Sequence, residues 1–263
     1  MARSTWYYQA GRLKAADKYA DLKTRIRELH ALHRACYGYR RMTQALCNEG
    51  WHVNHKLVQR LMRSMNVSAV IRRKKRYNTY MGNVGKASEN ILKRKFRADR
   101  PNQNLATDIT EFKVAGQKLY LSPVIDMFNG EIIAWNAATQ PTLPLVGHMM
   151  EKLKKRLKPD DMPLLHSDQG WHYRHPFYRK VLKDQGITQS MSRRGNCLDN
   201  ACIESFFGTL KEECYRRQSF NTVEELKTAL DRYIHYYNHE RIKGTLKGLS
   251  PVQYRTQSLG KLV

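Results

Sequence analysis

The sequence predicts a mixed α/β domain preceded by a small all-α helix-turn-helix domain. Two observations support this prediction. Apolar residues recur at helical spacing through a strongly basic N-terminal part, and strand-like runs alternate with helical runs after residue 104. The boundaries expected from these changes are 1–70 for the helical domain, 71–100 for a basic linker and 101–263 for the α/β domain.

The chain is strongly basic. Its 263 residues include 47 Lys and Arg against 23 Asp and Glu, for a formal net charge of +24. The first 100 residues hold 24 of the cations and only 6 of the acids. A positive field of this size attracts polyanions. The asymmetry predicts one part that binds nucleic acid and a second that keeps its carboxylates for another use, although an RNA-binding or ribosomal protein would also fit the charge alone.

Cysteine content and hydropathy disfavour secreted and membrane proteins. The five cysteines make an odd count, which favours reduced thiols over a disulfide framework. The N-terminus lacks the apolar stretch of a signal peptide, and no run approaches the roughly 18 apolar residues of a spanning helix. We therefore expect a cytoplasmic protein without a membrane partner.

The N-terminal part is predicted to contain three short helices. Apolar spacing predicts helices over Tyr19–Leu32 and Tyr39–Cys47, the second ended by Gly50, and Asn54 can cap a third. This order fits a helix-turn-helix whose last helix enters a major groove. A plain helical hairpin with a solvated polar face is the alternative. The residues of the third helix expected to contact DNA are Lys56, Gln59, Arg60 and Arg63.

Residues 71–100 combine high charge with poor apolar periodicity. Two basic runs, Arg72–Arg76 and Lys93–Lys95, flank a stretch that contains glycine and serine. This composition predicts a linker that contacts phosphates without fixed structure.

From Asn104 the pattern becomes strand-like. Three runs, 105–114, 118–127 and 131–136, are separated by turn signals, of which the Asn129-Gly130 pair is a strong hairpin signal. Helices and short strands then alternate. The helices are expected at 145–157, at 176–185, from Asn200 and from Thr222, and the strands at 162–166 and 188–191.

Three acidic residues lie among apolar residues, where burial of a carboxylate costs free energy unless it binds a cation or accepts hydrogen bonds. Asp108 is inside an apolar strand-like run, Asp168 follows another, and Glu204 is near a helix start with apolar neighbours. Hard divalent ions such as Mg²⁺ prefer oxygen ligands, and two such ions can activate an attacking hydroxyl and stabilise a leaving oxygen at a phosphodiester. The three carboxylates are therefore candidate metal ligands and catalytic residues.

The sequence segments around these acids resemble the motifs of a known family. Segments 107–110, 166–170 and 199–207 look like the three signatures of DDE transposases and retroviral integrases. Thirty-five residues separate Asp168 from Glu204, which is the spacing of the DD35E group. The residues that flank the three acids and the tail motif at 237–241 resemble those of the second-frame (orfB) transposase of the IS-three insertion-sequence family. The resemblance covers nearly the whole chain.

The resemblance implies an RNase H-like integrase catalytic core, with a five-stranded mixed sheet and helices on both faces. It implies DNA transposition by cleavage and strand transfer, with Mg²⁺ or Mn²⁺ as cofactor and two ions per site. The implied partners are double-stranded DNA of the element ends and target, other copies of the chain on DNA, and an upstream-frame segment joined by frameshifting. The location implied is the bacterial nucleoid.

Further residues are candidate DNA contacts. Family members carry a basic residue seven positions after the glutamate, here Lys211, which falls on the same helix face as Glu204. Asn200 either caps that helix or touches DNA. The tail departs from the family pattern, because Arg241 is followed by Ile242-Lys243 instead of a histidine two residues on. The remaining candidates are Arg193 and Arg194 in a basic loop, and Arg241 and Lys243 in the tail.

Other interpretations are a DNA-binding regulator of the element without catalysis and a nuclease of the same fold that cleaves but never joins. A zinc site is disfavoured because the spacing of the nearest set does not match a pair-plus-pair arrangement. That set is His30, His33, Cys36 and Cys47.

Overall fold

The computed structural model describes residues 3, 4, 7, 17–70, 90–92, 98–192 and 200–260. The chain divides into two compact units, Met1–Val70 and Ile71–Val263. No helix of the described residues is both long enough and apolar enough to cross a membrane.

The first unit is helical, as predicted. It contains α1 (Ala20–Leu32), α2 (Tyr39–Asn48) and α3 (His55–Ser64), which pack their apolar faces together. The side chain of Asn54 accepts a hydrogen bond from the backbone N–H of Lys56 at 2.8 Å, which confirms the predicted cap of α3. The buried residues that form this small core are Leu22, Ile26, Leu29, Met42, Leu46, Val58, Leu61 and Met62.

The second unit is built on one mixed sheet. Strands β1 and β2 lie end to end along one side of β3, and β4 pairs with the other side of β3, all antiparallel to it. β1 continues the sheet through parallel pairing with β5, and β5 pairs in parallel with β6. The sheet is therefore five strands wide, and the predicted fold class is confirmed. The strands are β1 (Asn104–Thr107), β2 (Thr110–Val114), β3 (Gln117–Asp126), β4 (Ile132–Ala138), β5 (Leu164–Ser167) and β6 (Thr188–Met191).

One predicted strand is wrong. The run 105–114 is two strands with a break at Asp108-Ile109. The registers Thr107↔Val124 and Thr110↔Leu121 place this break beside Pro123 of β3. Proline has no N–H to donate, so the hydrogen-bond ladder is interrupted there, and the Pro123 carbonyl instead accepts the Thr107 hydroxyl at 2.9 Å. Asp108 consequently lies at the end of a strand and not within one.

Helices cover both faces of the sheet, as expected. Neighbouring residues of β1 point to opposite faces, so Leu105 packs with α4 to α6 while Ala106 packs with α7 and α8. A last helix, α9, begins with a capping box at Ser250. The helices of this unit are α4 (Leu143–Arg156), α5 (Trp171–Arg174), α6 (Pro176–Asp184), α7 (Ala201–Glu213), α8 (Val223–His239) and α9 (Pro251–Leu259).

The predicted linker is wrong at residues 90–92. Leu92 is buried in the core beside α7 and α8. The backbone N–H groups of Ile91 and Leu92 donate to the hydroxyl of Ser190 at 3.1 and 3.3 Å. This short segment therefore packs on the α/β unit, whereas most of the predicted linker, 71–89 and 93–97, lies outside the described residues.

Candidate active site

Two of the predicted acids are brought together by strand register. In the parallel pairing of β1 with β5, Ala106 lies opposite His166. Asp108 and Asp168 each follow that pair by two residues, so they leave neighbouring strands at the same edge of the sheet. Carboxyl ends of parallel strands are where α/β sheets place their reactive groups.

Local hydrogen bonds fix both aspartates. The Ile109 N–H donates to Oδ1 of Asp108 at 2.7 Å, and the Gly170 N–H donates to Oδ1 of Asp168 at 2.8 Å. A Cβ on Gly170 would lie 2.9 Å from that same Asp168 oxygen, so only glycine fits here without a shift. No role was predicted for Gly170, although its position two residues after the acid was a usable signal.

Glu204 reaches this edge from a helix. It lies in the first turn of α7, whose buried residues pack on the sheet face that includes Ala106. Lys211 is two turns further along the same helix, and its ammonium lies 5.3 Å from the centre of the Phe112 ring on β2. Both side chains are partly buried.

The charges of these residues act on one another. Burial, which is the largest cause, and the negative charges of Asp168 and Glu204 together raise the pKa of Asp108 to about 7, while the Ile109 N–H and the Lys211 ammonium oppose the rise. The three acids and the lysine therefore share one electrostatic environment.

A divalent cation suits this donor set. The mutual repulsion that raises the Asp108 pKa is the interaction that a bound dication would relieve. Among the described residues, no three His, Cys, Asp or Glu side chains lie together as a group that could hold a metal ion. Mg²⁺ commonly uses one or two carboxylates and keeps several waters, so Asp108 and Asp168, with Glu204 approaching from α7, are sufficient in type and number.

Asn200 lies in the interior. It is 4% exposed, and its side-chain N–H donates to the carbonyl of Thr107 at 3.4 Å. It makes no side-chain cap hydrogen bond at the start of α7. The structure therefore argues against both predicted roles, capping and DNA contact, because the amide is directed at the end of β1.

Arg241 and Lys243, the two basic residues of the tail, also contact other parts of the protein. Arg241 is 6% exposed and its guanidinium forms two hydrogen bonds with Glu213, so its interior position argues against the predicted DNA contact. Lys243 is partly buried and donates to the carbonyls of Asn129 and Gly130 at 3.4 and 3.1 Å. These contacts could not be predicted, because local sequence patterns do not show that the tail folds back onto the turn between β3 and β4.

The other predicted contacts lie on the surface or outside the described residues. The four residues of α3 have exposed side chains on the face opposite its buried stripe: Lys56, Gln59, Arg60 and Arg63. Arg193 and Arg194 lie outside the described residues.

A fourth strand carboxylate, Asp126, is structural. It is fully buried and accepts the N–H groups of Asn102 and Phe128, both at 2.9 Å. Burial raises its pKa to about 6. It therefore stabilises the end of β3.

Comparison with known proteins identifies the family. Two integrase core domain families match residues 98–197 and 204–259, and an HTH-like domain family matches residues 17–75. The chain is 52% identical to the InsK transposase of insertion sequence element IS150 of Escherichia coli (strain K12), over 97% of this chain and 90% of that protein. It is 34% identical to the InsF transposase of insertion sequence IS3A of the same strain, over 85% of this chain and 78% of that protein.

The chain belongs to the IS3-type insertion-sequence transposases. A third relative, a transposase for element IS1353 of Shigella flexneri, is 40% identical over 97% of this chain, which spans 50% of that longer protein. DNA transposition is thus the function class of this transposase, and its α/β unit is an integrase catalytic core.

The raised pKa of Asp108 makes the stability of the metal-free transposase depend on pH. The folded state holds a proton that an aspartate of ordinary pKa, 3.8, releases, so this stabilising contribution is lost as pH rises through about 7. In EDTA, we expect the Tm of the wild type to fall between pH 6 and 8.5 by several degrees more than that of Asp108→Asn. Asp160→Asn, at an exposed loop position, is the control and should follow the wild type. Identical slopes for wild type and Asp108→Asn would show that the pKa of Asp108 is not raised in the folded protein.

Proposed function

We propose that this transposase cleaves and joins insertion-sequence DNA ends with Asp108, Asp168 and Glu204 as a metal-binding catalytic triad. The main support is the parallel register of β1 and β5, which sets the two aspartates side by side at one sheet edge. The shared electrostatics of Asp108, Asp168, Glu204 and Lys211 add to it.

The chemistry follows from this donor set. The three carboxylates would hold Mg²⁺ or Mn²⁺, two ions per site, which lower the pKa of the attacking hydroxyl and stabilise the leaving oxygen. Water first attacks a phosphodiester at the element end, forming one P–O bond and breaking another, and releases a 3′-hydroxyl. That hydroxyl then attacks a target phosphodiester in the same way. Lys211 would hold a phosphate beside the carboxylates, and no covalent protein–DNA bond is required.

The remaining assignments extend this proposal. We assign 1–70 to recognition of the terminal repeats, 71–100 apart from the packed residues 90–92 to a connection that includes phosphate contacts, and 101–263 to catalysis. Arg193 and Arg194 stay proposed DNA contacts, and the active form would be an oligomer on double-stranded DNA at the bacterial nucleoid. An upstream-frame segment joined by frameshifting is consistent with the greater length of the IS1353 relative.

One assay tests the proposed reaction against its alternatives. Purified transposase is incubated with labelled terminal-repeat DNA, plasmid target and Mg²⁺ or Mn²⁺, with EDTA as control. Joined products are expected. Nicks without joining would instead indicate a nuclease, and binding that EDTA leaves unchanged, without any cleavage, would indicate a regulator.

The exposed face of α3 gives a second test. Arg60→Ala removes a cation that we place beside a DNA phosphate at the major groove, so binding of terminal-repeat DNA should weaken at least about 10-fold, and the salt dependence of log K should lose about one unit of slope. Arg27→Ala removes an exposed arginine from α1 and is the matched control. Equal losses for the two variants, measured by fluorescence anisotropy at several salt concentrations, would rule out α3 as the recognition helix.

A further inference from the structure

An acid is buried in the apolar stripe of α7. The buried residues of α7 recur at the spacing of a core-facing stripe, and its last member, Glu213, is 9% exposed. Burying a carboxylate costs free energy unless it is paired and hydrogen-bonded. The apolar members of the stripe are Ile203, Phe206, Phe207 and Leu210.

The partner of this acid comes from the tail. The Arg241 guanidinium donates through Nε to one Glu213 oxygen and through NH2 to the other, both at 2.7 Å. The Tyr233 hydroxyl of α8 donates to the same carboxylate at 2.9 Å. Both ends of the ion pair are at most one-tenth exposed. A bidentate pair of this kind fixes direction as well as distance.

The pair lies behind the proposed catalytic face. Glu213 is nine positions after Glu204, which is about two and a half helical turns, so the two acids lie on opposite sides of α7. Lys211 shares the side of Glu204. The ion pair therefore joins the back of α7 to the segment that follows α8.

That segment is itself held at the turn between β3 and β4. Two residues after Arg241, Lys243 forms a β-bridge with Leu249, and its ammonium donates to the carbonyl of Gly130 at 3.1 Å. A rotation or slide of α7 would have to break either the ion pair or these contacts.

Stability alone gives little reason for a charged pair here. Replacing a buried ion pair by apolar residues of similar volume is often neutral or stabilising, because desolvation of the two charges offsets their attraction. Apolar contacts, however, are non-directional and allow a helix to settle in more than one rotation.

We propose that the Glu213–Arg241 pair is a positioning device that fixes the rotation of α7, so that Glu204 and Lys211 face Asp108. Neither residue touches the reacting atoms. This inference rests on the proposed function for its catalytic consequence, but not for its effect on α7.

The test compares the wild type with the triple variant E213M, R241M and Y233F, which replaces the charged pair by apolar side chains and leaves no hydroxyl without a partner. Its Tm should stay within about 5 °C of the wild type, since apolar replacement of buried pairs is tolerated. Its kcat for DNA-end cleavage should fall about 10- to 100-fold, because misplacement by about 1 Å has effects of that size. KM for DNA should stay within about twofold.

Hydrogen exchange provides a readout that is independent of activity. In the triple variant, the amides of α7 should exchange faster, while those of α4 on the opposite sheet face keep their wild-type rates. R241K keeps the charge but not the bidentate geometry, so it should show the same changes at smaller amplitude. It takes the place of the triple variant in this test if the triple variant does not fold.

The outcomes separate this inference from the proposed function. Wild-type kcat together with wild-type exchange of α7, in whichever of the two variants folds, would overturn the positioning role. If the wild type itself fails to cleave terminal-repeat DNA, the proposed function fails, and the exchange rates of α7 alone then decide whether the pair positions the helix.

Discussion

Replacing Asp168 by asparagine is expected to lower the rate of DNA-end cleavage by at least about 10³-fold, because the site loses a charged ligand for a divalent ion. Asparagine is nearly isosteric and its Oδ1 can still accept the Gly170 N–H that now bonds Asp168 at 2.8 Å. The fold and the DNA affinity should therefore be preserved.

The measurement is single-turnover cleavage of labelled terminal-repeat DNA at saturating Mg²⁺, with Tm and DNA affinity determined for each variant. Glu204→Gln should show a loss of similar size. Asp160→Asn, on the exposed connection between α4 and β5, removes the same charge elsewhere and should cleave at the wild-type rate. Wild-type cleavage by Asp168→Asn would rule out the proposed triad.

Replacing Arg241 by alanine is expected to lower the free energy of unfolding by about 3–5 kcal/mol, because it leaves the buried Glu213 carboxylate without its cation. Burial alone would lower the pKa of Arg241, yet its hydrogen bonds and attraction to Glu213 raise that pKa above the usual range. Pairing with Glu213 thus keeps the buried guanidinium charged, and the cost of burying the Glu213 carboxylate without a cation appears when the arginine is removed.

Arg216→Ala is the matched control for this loss. Arg216 bonds Glu212 at 2.8 Å, but its side chain is 42% exposed. Exposed pairs of this kind contribute about 0.5 kcal/mol or less. Urea unfolding of both variants at neutral pH measures the difference, and a loss below about 1 kcal/mol for Arg241→Ala would show that water reaches Glu213 in the folded protein.

Most secondary structure could be predicted from the sequence because its signals are local. The 3–4 apolar spacing predicted α1 and α2 within one residue, and the start of α3 followed from Asn54, a residue type that caps helices. The strand 188–191 was predicted with its observed bounds. The failure at Asp108-Ile109 had a non-local cause, since the break depends on Pro123 lying opposite in β3.

The residues of the candidate site also fall into two groups, those that local sequence signals reveal and those that depend on contacts between distant segments. Asp108, Asp168 and Glu204 could be selected from sequence because an acid among apolar residues is unusual and their spacing is specific. Glu213 carried the same signal, an acid in an apolar stripe, but its partner lies 28 residues away in the chain and could not be assigned. Arg241 was misjudged for this reason, because an arginine in a polar tail is ordinarily exposed.

The sequence by itself determined the fold class, the helix and strand pattern and the three acids, since periodicity, caps and spacing are properties of neighbouring residues. Only the tertiary structure decided which residues meet. The parallel register of β1 and β5 sets Asp108 beside Asp168, and the folding of the tail turns Arg241 from a proposed DNA contact into the partner of Glu213. Both depend on pairing between distant segments, which local sequence patterns do not encode.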